Sequence, residues 1–256
     1  MKRQPISTAA ISCGDHVVEA FLWGALGASA LLIGALIAYV FAPSRGVIAA
    51  VMALGTGLLI GSVSFELIDE ALKTQTVGWV GLLVLVGGAV FAVGDWLLSR
   101  KGGGDRKDPS GAQKEGSPMA IVLGSVLDGI PESFVLGLTV LQGGVSVPLF
   151  AGVALSNLPE GMSSSSGLKA AGWPKGRVVW MWLAVVAVSG VAAAAGYVLL
   201  DPASGHTGAL VQAFAAGALL AMLADSLLPE AYGVEGALTG PLVVTGFAIS
   251  LALSAF

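Results

Sequence analysis

The sequence predicts an all-α membrane protein of eight transmembrane helices arranged as an inverted repeat, in a single polytopic domain over residues 1–256. Three observations predict it. Apolar residues make up 55% of the chain and charged residues only 11%, too little charge to cover a soluble domain of this length. The apolar residues gather into runs of the roughly 20 residues that a helix needs to cross a bilayer. Two pairs of those runs carry matching polar motifs.

The runs fall at about 17–41, 47–70, 78–99, 118–141, 146–168, 177–199, 207–229 and 236–256. They are too long and unbroken for the alternating strands of a membrane barrel. Their abundant glycine and alanine suit close helix–helix contact in lipid. The first follows "MKRQPISTAAISCGDH", which is too polar for the apolar core of a signal peptide, so it is read as a retained span. Between the third and fourth lies "SRKGGGDRKDPSGAQKEGSP", a charged, Gly- and Pro-rich segment that predicts a flexible loop at about 100–117.

Orientation follows from the basic residues. The 1–2, 3–4, 5–6 and 7–8 connections hold Arg45, Arg100, Lys101, Arg106, Lys107, Lys114, Lys169, Lys175 and Arg177, nine of the twelve Lys and Arg. The positive-inside rule then puts the 3–4 loop in the cytoplasm and both termini outside, in an inner or plasma membrane. Trp79, Trp96 and Trp173 fall near span ends, where interfacial anchors belong.

Composition also excludes. A lone cysteine, Cys13, rules out an internal disulfide and a Cys-rich metal site. Two histidines, His16 and His206, are too few for a His-rich metal loop; both fall on the outer side, where they either catch a metal at an entrance or are plain surface residues. There is no phosphate-binding loop, no nucleotide domain and no nucleic-acid signature. The expectation is therefore a non-enzyme with no bound cofactor. Its partners are membrane lipid and a transported solute, and a homodimer stays open.

The motifs suggest the solute. "DGIPES" (128–133) and "SNLPEG" (156–161) sit mid-span in runs 4 and 5, with Asp128 and Ser156 in register at 156 − 128 = 28 residues. A charge at the bilayer centre costs at least about 2.5–3.5 kcal/mol on insertion scales. Asp128, Glu132 and Glu160 at one depth therefore need a purpose, and coordinating cations or carrying protons would supply it. Asp128 and Glu132 are i and i+4 on one helix face, and Ser156 and Glu160 repeat that spacing. Pro131 frees the carbonyl of Leu127, and Pro159 that of Leu155, because proline has no N–H. Carboxylates beside freed carbonyls make an oxygen-rich pocket of the kind found on interrupted helices in transporters built from repeats. The alternative is that two proline kinks merely shape the bundle, with neutral acids hydrogen-bonded between helices.

A second pair matches at 217 − 57 = 160 residues: "GLLIGSVSFELIDEA" (57–71) and "GALLAMLADSLLPEA" (217–231). With runs 2 and 7 opposed in direction, spans 1–3 relate to 6–8 and span 4 to span 5, the layout of alternating-access transporters. Glu66, Asp69 and Glu70 then lie near the outer surface, Asp225 in the inner half of span 7 and Glu230 at its inner end. Glu66 and Asp225 are candidate pathway residues; the other reading makes such acids solvated charges at span ends. Ser163 to Ser166 either line the path or pack between helices. Asp95 reads as a loop-facing charge.

These residues resemble the ZIP (Zrt/Irt-like) family of divalent metal transporters, whose spans 4 and 5 carry a His-Asn-x-Pro-Glu-Gly motif. "SNLPEG" and "DGIPES" are similar to it, "ADSLLPEA" is similar to the family's Asp-Glu-Leu-Ile-Pro-Glu-Ala pattern in span 7, and "FELIDEA" is a looser echo in span 2. The resemblance covers essentially the whole chain. It implies that Glu132, Asn157 and Glu160 are metal ligands and that Asp128 and Ser156 occupy the positions where the family has histidine. Gly129 replaces the family's Asn, and span 6 offers only Ser189 where some members supply another carboxylate. The expected metal site is thus Asp128, Glu132, Ser156, Asn157 and Glu160.

The resemblance implies zinc or iron as cargo, whereas an all-oxygen donor set suits harder ions such as Mn²⁺ or Mg²⁺. Zn²⁺ also accepts carboxylates. Two readings stay beside uptake of a divalent metal: a transporter of another solute on the same scaffold, and a non-transporting membrane regulator.

Overall fold

The computed structural model describes residues 7–98, 100, 118–141, 144–198 and 205–255. The 3–4 loop at about 100–117, Arg100 apart, lies outside them, as does the side chain of His206. Among the described residues the ordered structure is helical, with no strand. The helices are α1 (Ser7–Val40), α2 (Arg45–Thr74), α3 (Val77–Leu98), α4 (Pro118–Leu141), α5 (Val147–Ala170), α6 (Lys175–Val198), α7 (205–235) and α8 (Thr239–Leu253).

Among the described residues, six stretches are long and apolar enough to cross a membrane. The sequence reading expected eight, and the difference has two sources. α5 carries Ser156, Asn157, Glu160, four consecutive serines and Lys169, and its polarity keeps it off that set. Residues 207–253 form one 47-residue apolar stretch, about twice what one crossing needs. Gly236, at φ 57° and ψ −128°, interrupts it, and a short 3₁₀ turn over Gly236–Leu238 leads into α8.

Local chemistry sets several ends. Ser44 and Ser146 cap α2 and α5, accepting from the amides of Val47 and Leu149. α5 stops at Gly172, whose φ of 83° is the left-handed conformation glycine adopts without a Cβ penalty. There Gly172 N donates to the carbonyl of Lys169 and Trp173 N to that of Leu168, the paired bonds of a Schellman ending. α4 and α5 run through Pro131 and Pro159 without ending.

α2 and α7 are not regular throughout. Each contains a π-helical segment, Val63–Ile68 in α2 and Leu223–Leu227 in α7. Such wide turns arise from one inserted residue and recur at functional positions.

The helices pack in two groups joined through α2, α5, α4 and α7. α1 lies against α5 and α6, and α6 also against α4; α2 lies against α8 and α3 against α7, while α2 reaches across to α5 and α4 to α7. The main core sits at this junction, where Met52, Leu59, Val135, Leu136, Leu149, Val153, Leu219 and Met222 are buried together. Glycine makes the tightest crossings. A β-carbon on Gly57 would strike the backbone of Val243, and one on Gly246 the carbonyl of Leu54, so α2 and α8 meet backbone to backbone. α3 and α7 cross likewise at Gly87 and Gly217. α3 is otherwise bare, with Leu85, Val90 and Val93 exposed as on a lipid-facing helix.

Candidate metal-binding site

The polar residues of α4 and α5 face one another. On α4, Ser125, Asp128 and Glu132 recur at i, i+3 and i+7, which aligns them on one face. On α5, Ser156, Asn157 and Glu160 occupy consecutive turns. All six are buried. Hydrogen bonds cross the interface: Ser125 Oγ donates to Glu160 Oε1 at 2.8 Å, and Ser156 Oγ donates to Glu132 Oε1 at 3.3 Å. Each helix thus offers a hydroxyl to the other's carboxylate. The pairing is antiparallel, and it sets Asp128 level with the turn from Asn157 to Glu160.

α4 and α5 barely touch through their backbones, although each packs extensively on other helices. Around the acids the two helices are bridged by these side chains, while Val135 and Leu136 of α4 and Leu149 and Val153 of α5 belong to the apolar core beside them. That arrangement is unusual, since a buried carboxylate costs free energy unless its oxygens are satisfied.

Asn157 adds a third helix. Its Nδ2 donates to the carbonyl of Gly27 on α1 at 3.4 Å. A carbonyl only accepts, so the amide presents nitrogen to α1 and keeps Oδ1 as its acceptor end. Ser189 of α6 approaches from another side: a β-carbon on Gly129 would lie 3.4 Å from Ser189 Oγ, and Ser189 is itself buried. Gly129 therefore faces a hydroxyl across a gap of ordinary van der Waals width.

The structure brings Glu132 to Ser156 and Glu160 to α4, and it buries Asp128 between them in register. Among the described residues, however, no three Asp, Glu, His or Cys side chains converge closely enough to hold a metal ion. An ion at this interface would draw on Asn157 Oδ1, serine hydroxyls and the carbonyls of Leu127 and Leu155 as well as carboxylates. Those are oxygen donors throughout.

The two pathway candidates stand apart from this cluster. Glu66, in the π-segment of α2, lines a cavity of about 510 Å³ with Phe65, Asp69, Glu70, Lys73 and the end of α8 at Leu251, Ser254 and Ala255. Lys73 is paired with Glu70 at 2.6 Å within it. Asp225, in the π-segment of α7, is exposed on the helix surface. His16 pairs with Glu19 at 3.1 Å on an exposed turn of α1. In the serine run, Ser165 accepts from Trp182 Nε1 at 2.8 Å and Ser166 donates to the carbonyl of Met162 in its own helix. Those two serve packing.

Ser125 is the site residue that sequence reasoning missed. The signal was present, because Ser125 precedes Asp128 by three residues and Glu132 by seven on the same face. It passed unnoticed because it lies outside the "DGIPES" motif. The chain matches no protein-family model and no curated sequence.

Proposed function

We propose that the protein is a ZIP-like transporter that carries divalent metal ions into the cytoplasm through a carboxylate site between α4 and α5. The observation that carries this reading is the reciprocal pair of serine–carboxylate bonds between buried residues of α4 and α5. Buried acids on two helices that each carry a proline beside a glutamate suit a cation and burden any purely structural role. The metal family and the direction of transport rest on the motif resemblance and on the basic-residue bias.

In this reading the chain crosses the membrane eight times, α1 to α8, with both termini outside and the 3–4 loop inside. An inverted repeat is supported by more than sequence. The π-segments begin at Val63 and Leu223, again 223 − 63 = 160 residues apart. The glycine crossing of α2 with α8 corresponds to that of α7 with α3, since 217 − 57 = 160 and 246 − 87 = 159. Glu66, in its cavity, serves as the entry side, and Asp225 the exit side. The bound ion is cargo, and its ligands must be deprotonated to hold it, so uptake is coupled to proton release where Glu132 or Glu160 carries a proton.

Uptake into proteoliposomes across Mn²⁺, Zn²⁺, Fe²⁺, Co²⁺, Cd²⁺ and Mg²⁺ tests the proposal. Wild-type protein should take up at least one of them and be stabilised by it against heat, and chelation should reverse the stabilisation. Glu132→Ala and Glu160→Ala should lose both effects. No uptake and no thermal response to any of these ions would end the proposal.

A further inference from the structure

We infer that Ser125 is a positioning residue of the metal site: its hydroxyl holds the Glu160 carboxylate in place as a ligand. This inference rests on the proposed transport of a divalent metal.

The two cross-helix bonds are not equivalent. Ser125 Oγ lies 2.8 Å from Glu160 Oε1, the usual length for a hydroxyl donor. Ser156 has one proton and two acceptors: the carbonyl of Val153 in its own helix at 3.0 Å, and Glu132 Oε1 at 3.3 Å. The nearer carbonyl takes the larger share, so the bond to Glu132 is the weaker. Ser125 is buried among helices and approaches Glu160 through one carboxylate oxygen, Oε1. The carboxylate has a second oxygen, so it can accept from Ser125 and ligate an ion at once. Hydrogen bonds of this kind orient metal ligands, and losing one typically costs 10- to 100-fold in affinity.

The test is calorimetric titration of purified protein with Mn²⁺ and with Zn²⁺, beside the melting temperature without metal. Ser125→Ala should weaken binding by about tenfold or more. Ser125→Thr keeps the hydroxyl and should bind nearly as wild type does. Ser125→Cys, close in size but a weak donor, should resemble alanine and carries the comparison if Ser125→Ala does not fold. Ser166→Ala, which removes a hydroxyl bonded only within its own turn, should leave affinity unchanged. Equal affinity in wild type and the alanine or cysteine variant overturns the inference and leaves the transport proposal standing. Threonine binding as poorly as alanine also overturns it, since the loss would then come from packing. A wild type that binds neither of these ions nor any other of the uptake panel overturns both.

Discussion

Gly55→Ala perturbs the site through the backbone of α5, without altering any proposed ligand side chain. Gly55 lies on α2 where it meets α5, and a β-carbon there would stand 2.8 Å from the carbonyl carbon and oxygen of Leu155 and 2.9 Å from Ser156 N. These neighbours are backbone, so no rotamer change relieves them. Reaching an ordinary contact of 3.4 Å requires α2 and α5 to part by 3.4 − 2.8 = 0.6 Å. Overpacking of this kind costs about 1–3 kcal/mol. The displaced group matters as much as the energy. The Leu155 carbonyl is the acceptor that Pro159 leaves without its helical donor, and Ser156 adjoins it. Gly55→Ala should therefore lower the melting temperature and also blunt the further stabilisation that Mn²⁺ or Zn²⁺ provides. Gly81→Ala is the control, because a β-carbon there meets nothing within 4 Å. Thermal melts of both variants with and without metal decide the matter. If Gly55→Ala melts and responds like Gly81→Ala, the α2–α5 contact does not shape the site.

Two further outcomes follow from the same geometry. Trp182→Phe removes the indole bond to Ser165 from a fully buried position, and it should destabilise by about 1 kcal/mol in a denaturation assay, at the low end because Ser165 can turn to a carbonyl of its own helix. Ser156→His puts imidazole where the family carries it; competition binding should shift toward Zn²⁺ and Co²⁺ over Mn²⁺, and an unchanged preference would remove Ser156 from the ligand set.

Much of the site was legible in the chain because helical periodicity is local. The i, i+4 spacing put Asp128 and Glu132 on one face, and Ser156 and Glu160 on another, before any fold was known. The prolines named the carbonyls of Leu127 and Leu155 by chemistry alone. The relation between the two faces was not legible. Periodicity says which residues share a face but not how far one helix slides along its neighbour, and that slide decides that Ser125 meets Glu160 while Ser156 meets Glu132. The cross-helix role of Ser125 is invisible without it. The π-segments were hidden because "VSFELI" and "LADSL" contain no residue that by itself demands a wide turn.

By itself the sequence determined that this chain is helical, apolar enough for a membrane over most of its length, and acidic at places where acids are costly. Composition and spacing suffice for that, because backbone hydrogen bonds in lipid must close within a segment. Only the tertiary structure decided that the polar side chains of α4 bond across to those of α5. It also decided that Glu66 opens into a cavity while Asp225 lies on an exposed helix face. Those outcomes depend on which helices approach closely, and that is set by glycines such as Gly57 and Gly246, distant in sequence, meeting backbone to backbone.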